Sequence, residues 1–100
     1  MKRNLFDYTL RPKALRDLED IWFFGDEHWG EFQANTYIGN LLACLHHLSN
    51  MPTAGPRCEY IRKRYRNYGF GKHVIYYRIS SQSIEVVRIL GQPMLAEIHL

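Results

Sequence analysis

Along the chain, apolar and polar residues first alternate, then recur at steps of three and four, and then alternate again. Phe6 to Leu10 is a short alternation that predicts a strand. Pro12 stands where a helix would begin, a position at which its missing N–H is not needed because the first amides of a helix have no partner inside it. From there Leu15, Leu18, Ile21, Trp22 and Gly25 recur at helical steps, with Arg16, Asp17, Glu19 and Asp20 between them, which predicts an amphipathic helix. Asp26 to Glu31 predicts the corner after it, with Gly30 free of the Cβ restriction and Trp29 as an apolar plug. Phe32, Ala34, Tyr37, Ile38, Leu41, Leu45 and Leu48 then hold helical spacing until Asn50-Met51-Pro52 stops it, completing a helical hairpin.

Thr53 to Pro56 is turn chemistry, and Arg57 to Arg64 reads as a loop. The period then falls to two. Tyr65 to Phe70, Lys72 to Ser80 and Ser83 to Leu90 are rich in Tyr, Val and Ile and predict a three-stranded antiparallel meander with turns at Gly71 and at Ser81-Gln82. The fold class is therefore α+β in the order β-α-α-β-β-β, a helical hairpin on a small, mainly antiparallel sheet. If Ser81-Gln82 is a two-residue turn, Ile79/Ile84, Tyr77/Val86 and Ile75/Arg88 share the core face, while Arg78/Glu85, Tyr76/Val87 and Val74/Ile89 share the other. Arg78 and Glu85 then form a cross-strand charge pair. Arg88 interrupts an apolar row, so it must pair with an acid such as Glu19 or Asp20 or point into a polar site.

The chain has 100 residues, 46% hydrophobic and 23% charged, which suits one compact domain over residues 1–100 and excludes disorder. No run is long and apolar enough for a membrane helix, and the N-terminus lacks a secretory leader, so a cytoplasmic protein with no membrane partner is expected. The net charge of +3 is unevenly spread. Residues 1–16 carry five Lys/Arg and one acid, residues 17–56 six acids and no Lys or Arg, and residues 57–100 eight Lys/Arg and three acids. An acidic helical hairpin beside a basic meander makes an anionic partner plausible. Cys44 and Cys58 form no CxxC pair and are expected as reduced thiols, Cys44 packed in a helix and Cys58 in a loop. The five histidines lack metal-ligand spacing, so no metal and no cofactor are expected.

The densest basic cluster is Arg57, Arg62, Lys63, Arg64 and Arg66, interleaved with Tyr60, Tyr65 and Tyr68. Guanidinium forks beside aromatic faces can hold phosphates and stack bases, though bases next to an edge strand also discourage sheet-to-sheet pairing. No nucleophile elbow, phosphate-binding glycine loop or zinc-protease helix is present, and no catalytic residue is assigned. The partner-binding candidates are Arg62, Arg64, Arg66, Arg78, Arg88, Trp22 and Tyr76.

In order and spacing the chain resembles the ParE toxins of the RelE/ParE toxin–antitoxin superfamily. The resemblance rests on Leu10-Arg11-Pro12-Lys13-Ala14, Leu18-Glu19-Asp20-Ile21-Trp22, His28-Trp29-Gly30, and Met51-Pro52 followed by Gly55. It continues through Tyr68, Gly71-Lys72-His73-Val74-Ile75-Tyr76-Tyr77-Arg78 and Ile84-Glu85-Val86-Val87-Arg88-Ile89-Leu90. It implies a RelE-like fold and a growth-inhibiting toxin that forms a heteromeric complex with a ParD-like antitoxin and inhibits DNA gyrase. Two alternatives from the same superfamily are a RelE-like mRNA endoribonuclease and an inactive antitoxin-binding relic. Two departures stand out. After Leu90 the family commonly continues His, any residue, Arg, Met, Asp, whereas this chain has Gly91-Gln92-Pro93-Met94-Leu95, in a segment that the resemblance implicates in toxicity. The end from Met94 to Leu100 reads alternatively as a tail packed on the core. Arg11 precedes Pro12 where Ser or Thr would cap the helix better, a difference of about 1 kcal/mol.

Overall fold

The protein is described by a computed structural model covering residues 8–81, 83–92, 94 and 96–100, with only the backbone of Glu97. Strand β1 (Tyr8–Leu10) leads into helices α1 (Pro12–Trp29) and α2 (Glu31–Asn50). Strands β2 (Arg66–Phe70), β3 (His73–Ile79) and β4 (Ile84–Gly91) follow, and a single turn, α3 (Ala96–His99), ends the chain. The sheet order is β1-β4-β3-β2, with β1 parallel to β4 and the other pairs antiparallel. This is the expected α+β order with α3 added. Phe6, Asp7 and Gln82, expected in a strand and a turn, and Pro93 and Leu95 of the divergent C-terminal segment lie outside the described residues.

Helix α1 starts at Pro12 as its spacing predicts, and Arg11 before it is extended and gives no side-chain cap. The buried stripe runs through Ala14, Asp17 and Leu18 and continues to half-buried Ile21 and Gly25. Leu15, expected on that stripe, is exposed, because one residue is a rotation of about 100° and Ala14 takes the inward position. The corner is also tighter than Asp26 to Glu31. Helix α1 runs on to Trp29, and Gly30 alone, at φ 94°, turns the chain into α2, a backbone angle that disfavours any side chain. Trp29, 66% exposed, and Phe32, 81% exposed, therefore lie outside the core that sequence spacing assigned them. Along α2, Ala34, Leu41, Leu45 and Leu48 are buried as expected, with Tyr37 and Ile38 packed at the margin.

The β3–β4 register changes partway. Ile79 faces Ile84, Arg78 faces Glu85 and Tyr77 faces Val86, as the turn predicts, but Tyr76 faces Arg88, leaving Val87 as an extra residue in a β-bulge. Ile75 therefore opposes Ile89 instead of Arg88, and Val74 opposes Leu90 instead of Ile89. Strict alternation could not anticipate this, since a bulge shifts every pair beyond it by one. The bulge keeps the main core apolar: Ile84, Val86 and Ile89 join Ala14, Leu18, Leu41, Leu45, Leu48, Ile75 and Tyr77. It also makes the second face more than a mixed surface. Cys58, Tyr65, Tyr76, Val87, Leu90 and Ala96 form a smaller core there with Leu100 against it, so the expected tail packs through Ala96 and Leu100 while Met94 and Ile98 are exposed.

Arg88 is held by Asp17, not by Glu19 or Asp20, both of which are exposed. Its Nε and Nη2 donate to the two carboxylate oxygens of Asp17 at 2.7 and 2.8 Å. Its Nη1 donates to the His99 carbonyl at 2.9 Å, and the Ile89 amide also donates to Asp17, at 2.9 Å. One carboxylate thus joins α1, β4 and α3, and both charged side chains are largely withdrawn from water. Among the described residues no helix is long and apolar enough to cross a membrane.

Removing one partner of a buried, bidentate pair strands the other charge, so Asp17→Ala is expected to lower unfolding free energy by about 3–5 kcal/mol. Glu19→Ala, at an exposed site on the same helix, should stay within about 0.5 kcal/mol. Urea unfolding of the two variants beside the parent checks this.

Candidate functional site

Two concave surfaces lie at opposite ends of the β2–β3 hairpin. The larger is an open groove of about 610 Å³ between the Gly30 end of the helical hairpin and the β2–β3 turn. Phe24, Trp29 and Gln33 rim it, and Ile21, Tyr37 and His73 reach its floor. Helices α1 and α2 approach closely beside it, since a Cβ on Gly25 would stand 3.3 Å from that of Ala34. Phe24 is 58% exposed and stacks on His28 at a centroid distance of 3.9 Å. Single exposed apolar side chains are ordinary, but Phe24 and Trp29 exposed together beside one groove make it a candidate contact surface.

The sheet side of the groove is tied together by Tyr37. Its hydroxyl lies 2.7 Å from His73 Nδ1, accepts from the Lys72 amide at 3.3 Å and sits 3.4 Å from the Phe70 carbonyl. Tyr37 also packs edge-on against Phe70. Gly71, at φ 55°, fits beneath it where a Cβ would come 2.6 Å from the Tyr37 hydroxyl, so this turn position takes glycine for shape as well as for backbone angle. Burial pushes the His73 imidazole below its ordinary value, with the Asp17 carboxylate as a smaller opposing influence. Burial likewise raises the Tyr37 phenol.

The second surface, about 280 Å³, is lined by Arg57, Glu59, Lys63, Arg64, Arg66 and Ile79. The cluster marked out in the sequence is thus divided. Arg64 and Arg66 face this pocket, whereas Arg62 reaches away and donates through Nη2 to the Leu100 carbonyl at 2.7 Å. Arg66 is braced by a 2.7 Å bond from Nη1 to the Gly55 carbonyl. The Gly55 amide, in turn, donates to the Tyr77 hydroxyl at 2.9 Å.

The remaining candidates are scattered. Arg78 donates from Nε to Glu85 at 2.7 Å, the pair read from the sequence, and Arg11 joins it with Nε 3.1 Å from the same carboxylate. Arg11 and then Arg78 hold the Glu85 carboxyl below the usual Glu range. Arg88 is engaged on Asp17 and the C-terminal turn. Trp22 donates from Nε1 to Asn35 at 2.7 Å, between the helices, and Tyr76 is buried in the smaller core. None of the seven candidate residues lines the groove. The signal in the sequence was Phe24, a large apolar residue off the stripe of α1, and Trp29 at the corner.

The comparisons with known proteins agree with one another. A family model described as ParE toxin of type II toxin-antitoxin system, parDE, matches residues 8–95. Toxin ParE1 of Caulobacter vibrioides is 37% identical over 93 residues, covering 93% of this chain and 96% of its own. Toxin ParE1 of Mycobacterium tuberculosis is 36% identical over 88 residues, covering 87% and 90%. A solved chain from a structure described as the chromosomal ParDE TA system from P. aeruginosa has the same fold. Its TM-score is 0.72 at 18% identity, over 84% of this chain and 92% of that one.

Two predictions test the electrostatics. A lowered imidazole value means that the unfolded state binds more protons, so stability should fall as the pH drops through about 6.5 toward the lower folded value. That loss should be absent in His73→Gln and is read from urea midpoints across pH. Glu85 follows the carboxylate rule, its stabilisation present above the unfolded value and lost as the pH falls through the folded one. Glu85→Gln should therefore be less stable than the parent at neutral pH, and the gap should close as the pH falls below about 4.

Proposed function

The chain belongs to the ParE toxin family of type II toxin–antitoxin systems, and from that premise we propose a cytoplasmic, non-enzymatic toxin held inactive by a ParD-like antitoxin and directed at DNA gyrase. The observation that carries the antitoxin reading is the aromatic-rimmed groove, an apolar recess whose rim stays exposed in the isolated chain. An amphipathic segment that folds on binding is the partner such a recess fits, laying its apolar face between the helical hairpin and the β2–β3 turn. The basic half of the chain suits a segment with acidic flanks.

The endoribonuclease alternative draws on the Arg62 to Arg66 cluster together with Arg88 at a scissile phosphate. Arg88 is bound on both sides of its guanidinium, to Asp17 and to the His99 carbonyl, which counts against it in that role. A binding mechanism also suits a chain whose ionisable side chains are largely spread over its surface.

Purified protein is expected to block supercoiling by gyrase, with activity restored by an equimolar amount of the cognate antitoxin. Unchanged supercoiling at micromolar excess would remove gyrase as the target. Trp29→Ala should retain the fold and weaken antitoxin binding by about 2 kcal/mol, or roughly 30-fold, as truncation of a central aromatic anchor does. Calorimetric titration of the variant with antitoxin measures it.

A further inference from the structure

We propose that the basic pocket at the open end of the β2–β3 hairpin holds the phosphodiester backbone of a single-stranded nucleic acid. The inference does not depend on the identity of the toxin's target. It starts from how the pocket is built. The chain returns along β2, with the Asn67 amide donating to the Pro56 carbonyl at 3.1 Å, the Cys58 amide to the Tyr65 carbonyl at 2.9 Å, and Arg57 bridged to Arg66. That return brings cations from both arms of the loop to one mouth, with exposed Ile79 as an apolar wall. The brace from Arg66 to Gly55 orders one of them in advance.

The pocket's charges are not used within the fold. Among the described residues Arg57, Lys63 and Arg64 make no side-chain hydrogen bond or ion pair, and Glu59 is the single acid in the lining. Elsewhere most of the described arginines are consumed, Arg11 and Arg78 on Glu85, Arg88 on Asp17 and Arg62 on the Leu100 carbonyl, while Arg16 stands exposed and alone on α1. Four cations gathered around one acid repel one another, and an incoming polyanion removes that repulsion.

A second, independent observation is backbone strain at Arg64. The Tyr65 amide donates to the Arg62 carbonyl at 3.1 Å, closing a turn in which Arg64 has φ 70°. Arg64 has the sole positive φ outside glycine among the described residues. Glycine or asparagine fills such a position at lower cost. The turn sets the direction in which the Arg64 side chain leaves the backbone, and that side chain lines the pocket.

Phosphate is favoured over a peptide carboxylate by the company the pocket keeps. Three of its four cations are guanidinium groups, whose rigid forks match phosphate oxygens and remain charged at any working pH. Next to Glu59 on the same loop, Tyr60 is 80% exposed, an aromatic face on which an unpaired base can stack. An acidic peptide has no use for such a face.

The test is fluorescence anisotropy of a short fluorescein-labelled single-stranded DNA with the intact protein over a series of salt concentrations. Binding is expected in the micromolar range at low salt, with a log–log salt slope of about −2 to −3, near 0.7 per phosphate neutralised. Arg64→Gly should reduce the slope by about 0.7 and weaken binding about tenfold at 50 mM salt. Its thermal midpoint should equal or exceed the parent's, because glycine relieves the turn. Lys63→Gln, which makes no backbone demand, should weaken binding similarly, and Glu59→Gln should strengthen it. The proposal is overturned by absence of salt-dependent binding. It is equally overturned if Arg16→Ala, at an exposed position on α1, weakens binding as much as Arg64→Gly, or if polyglutamate displaces the DNA at equal charge concentration.

Discussion

The carboxylate of Asp17 is the point on which the arrangement of elements depends. Strand β1 covers β4 only from Ile84 to Val86, with the Arg11 amide extending the contact to the Val86 carbonyl. Farther along β4 the Ile89 amide lies beyond the reach of the described part of β1, and the bulge at Val87 has turned a guanidinium into the same region. Asp17 meets both needs from a single position on α1. Because Arg88 also holds the His99 carbonyl, the location of the chain's last turn is set through the same pair. A carboxylate buried to 8% exposure beside an apolar core is tolerable because its oxygens receive three donors.

Much of this was legible in the sequence where the physics is local. Pro12 as first helical residue, the stripe of α2 from Ala34 to Leu48, the meander and the Arg78–Glu85 pair all follow from spacing alone. What escaped depends on contacts distant in the chain. Leu15 and Ala14 are adjacent and both apolar, and only the angle at which α1 meets β4 decides which is buried. The bulge leaves no residue-type signature, since Val87 is as good a strand residue as its neighbours. Asp17 looked like part of a charged face, although its place between Ala14 and Leu18 on the inward stripe distinguished it from Glu19 and Asp20. Of the candidate binding residues, the structure brings Arg64 and Arg66 together and sends Arg62 elsewhere, a division created by the turn at Arg64.

The two surfaces differ in the way they are exposed. The groove presents apolar area that water solvates poorly, so its occupant gains chiefly by excluding solvent. The basic pocket presents charge that water and salt already screen, so its occupant gains chiefly by displacing counterions and responds to ionic strength. Their separation to the two ends of one hairpin follows from the sheet order, which leaves β2 at an edge with one end near α1 and α2 and the other beside the returning loop. This member of the ParE toxin family thus carries two chemically distinct concave surfaces at the two ends of one hairpin.

The pairing of β1 with β4 has a consequence for synthesis. Asp17 and Arg88 stand 71 residues apart, and Tyr8 pairs with Ile84, so no nascent chain shorter than that strand contains the central contacts. The helical hairpin is complete in sequence by Asn50, yet Leu41, Leu45 and Leu48 close against Ile75, Tyr77 and Val86. The groove is later still than the helices that form one of its walls, because the other wall is Gly71, Lys72 and His73. On the ribosome, therefore, the recess takes shape only after His73 has emerged. Any guardian that recognises that recess must already be waiting when it does.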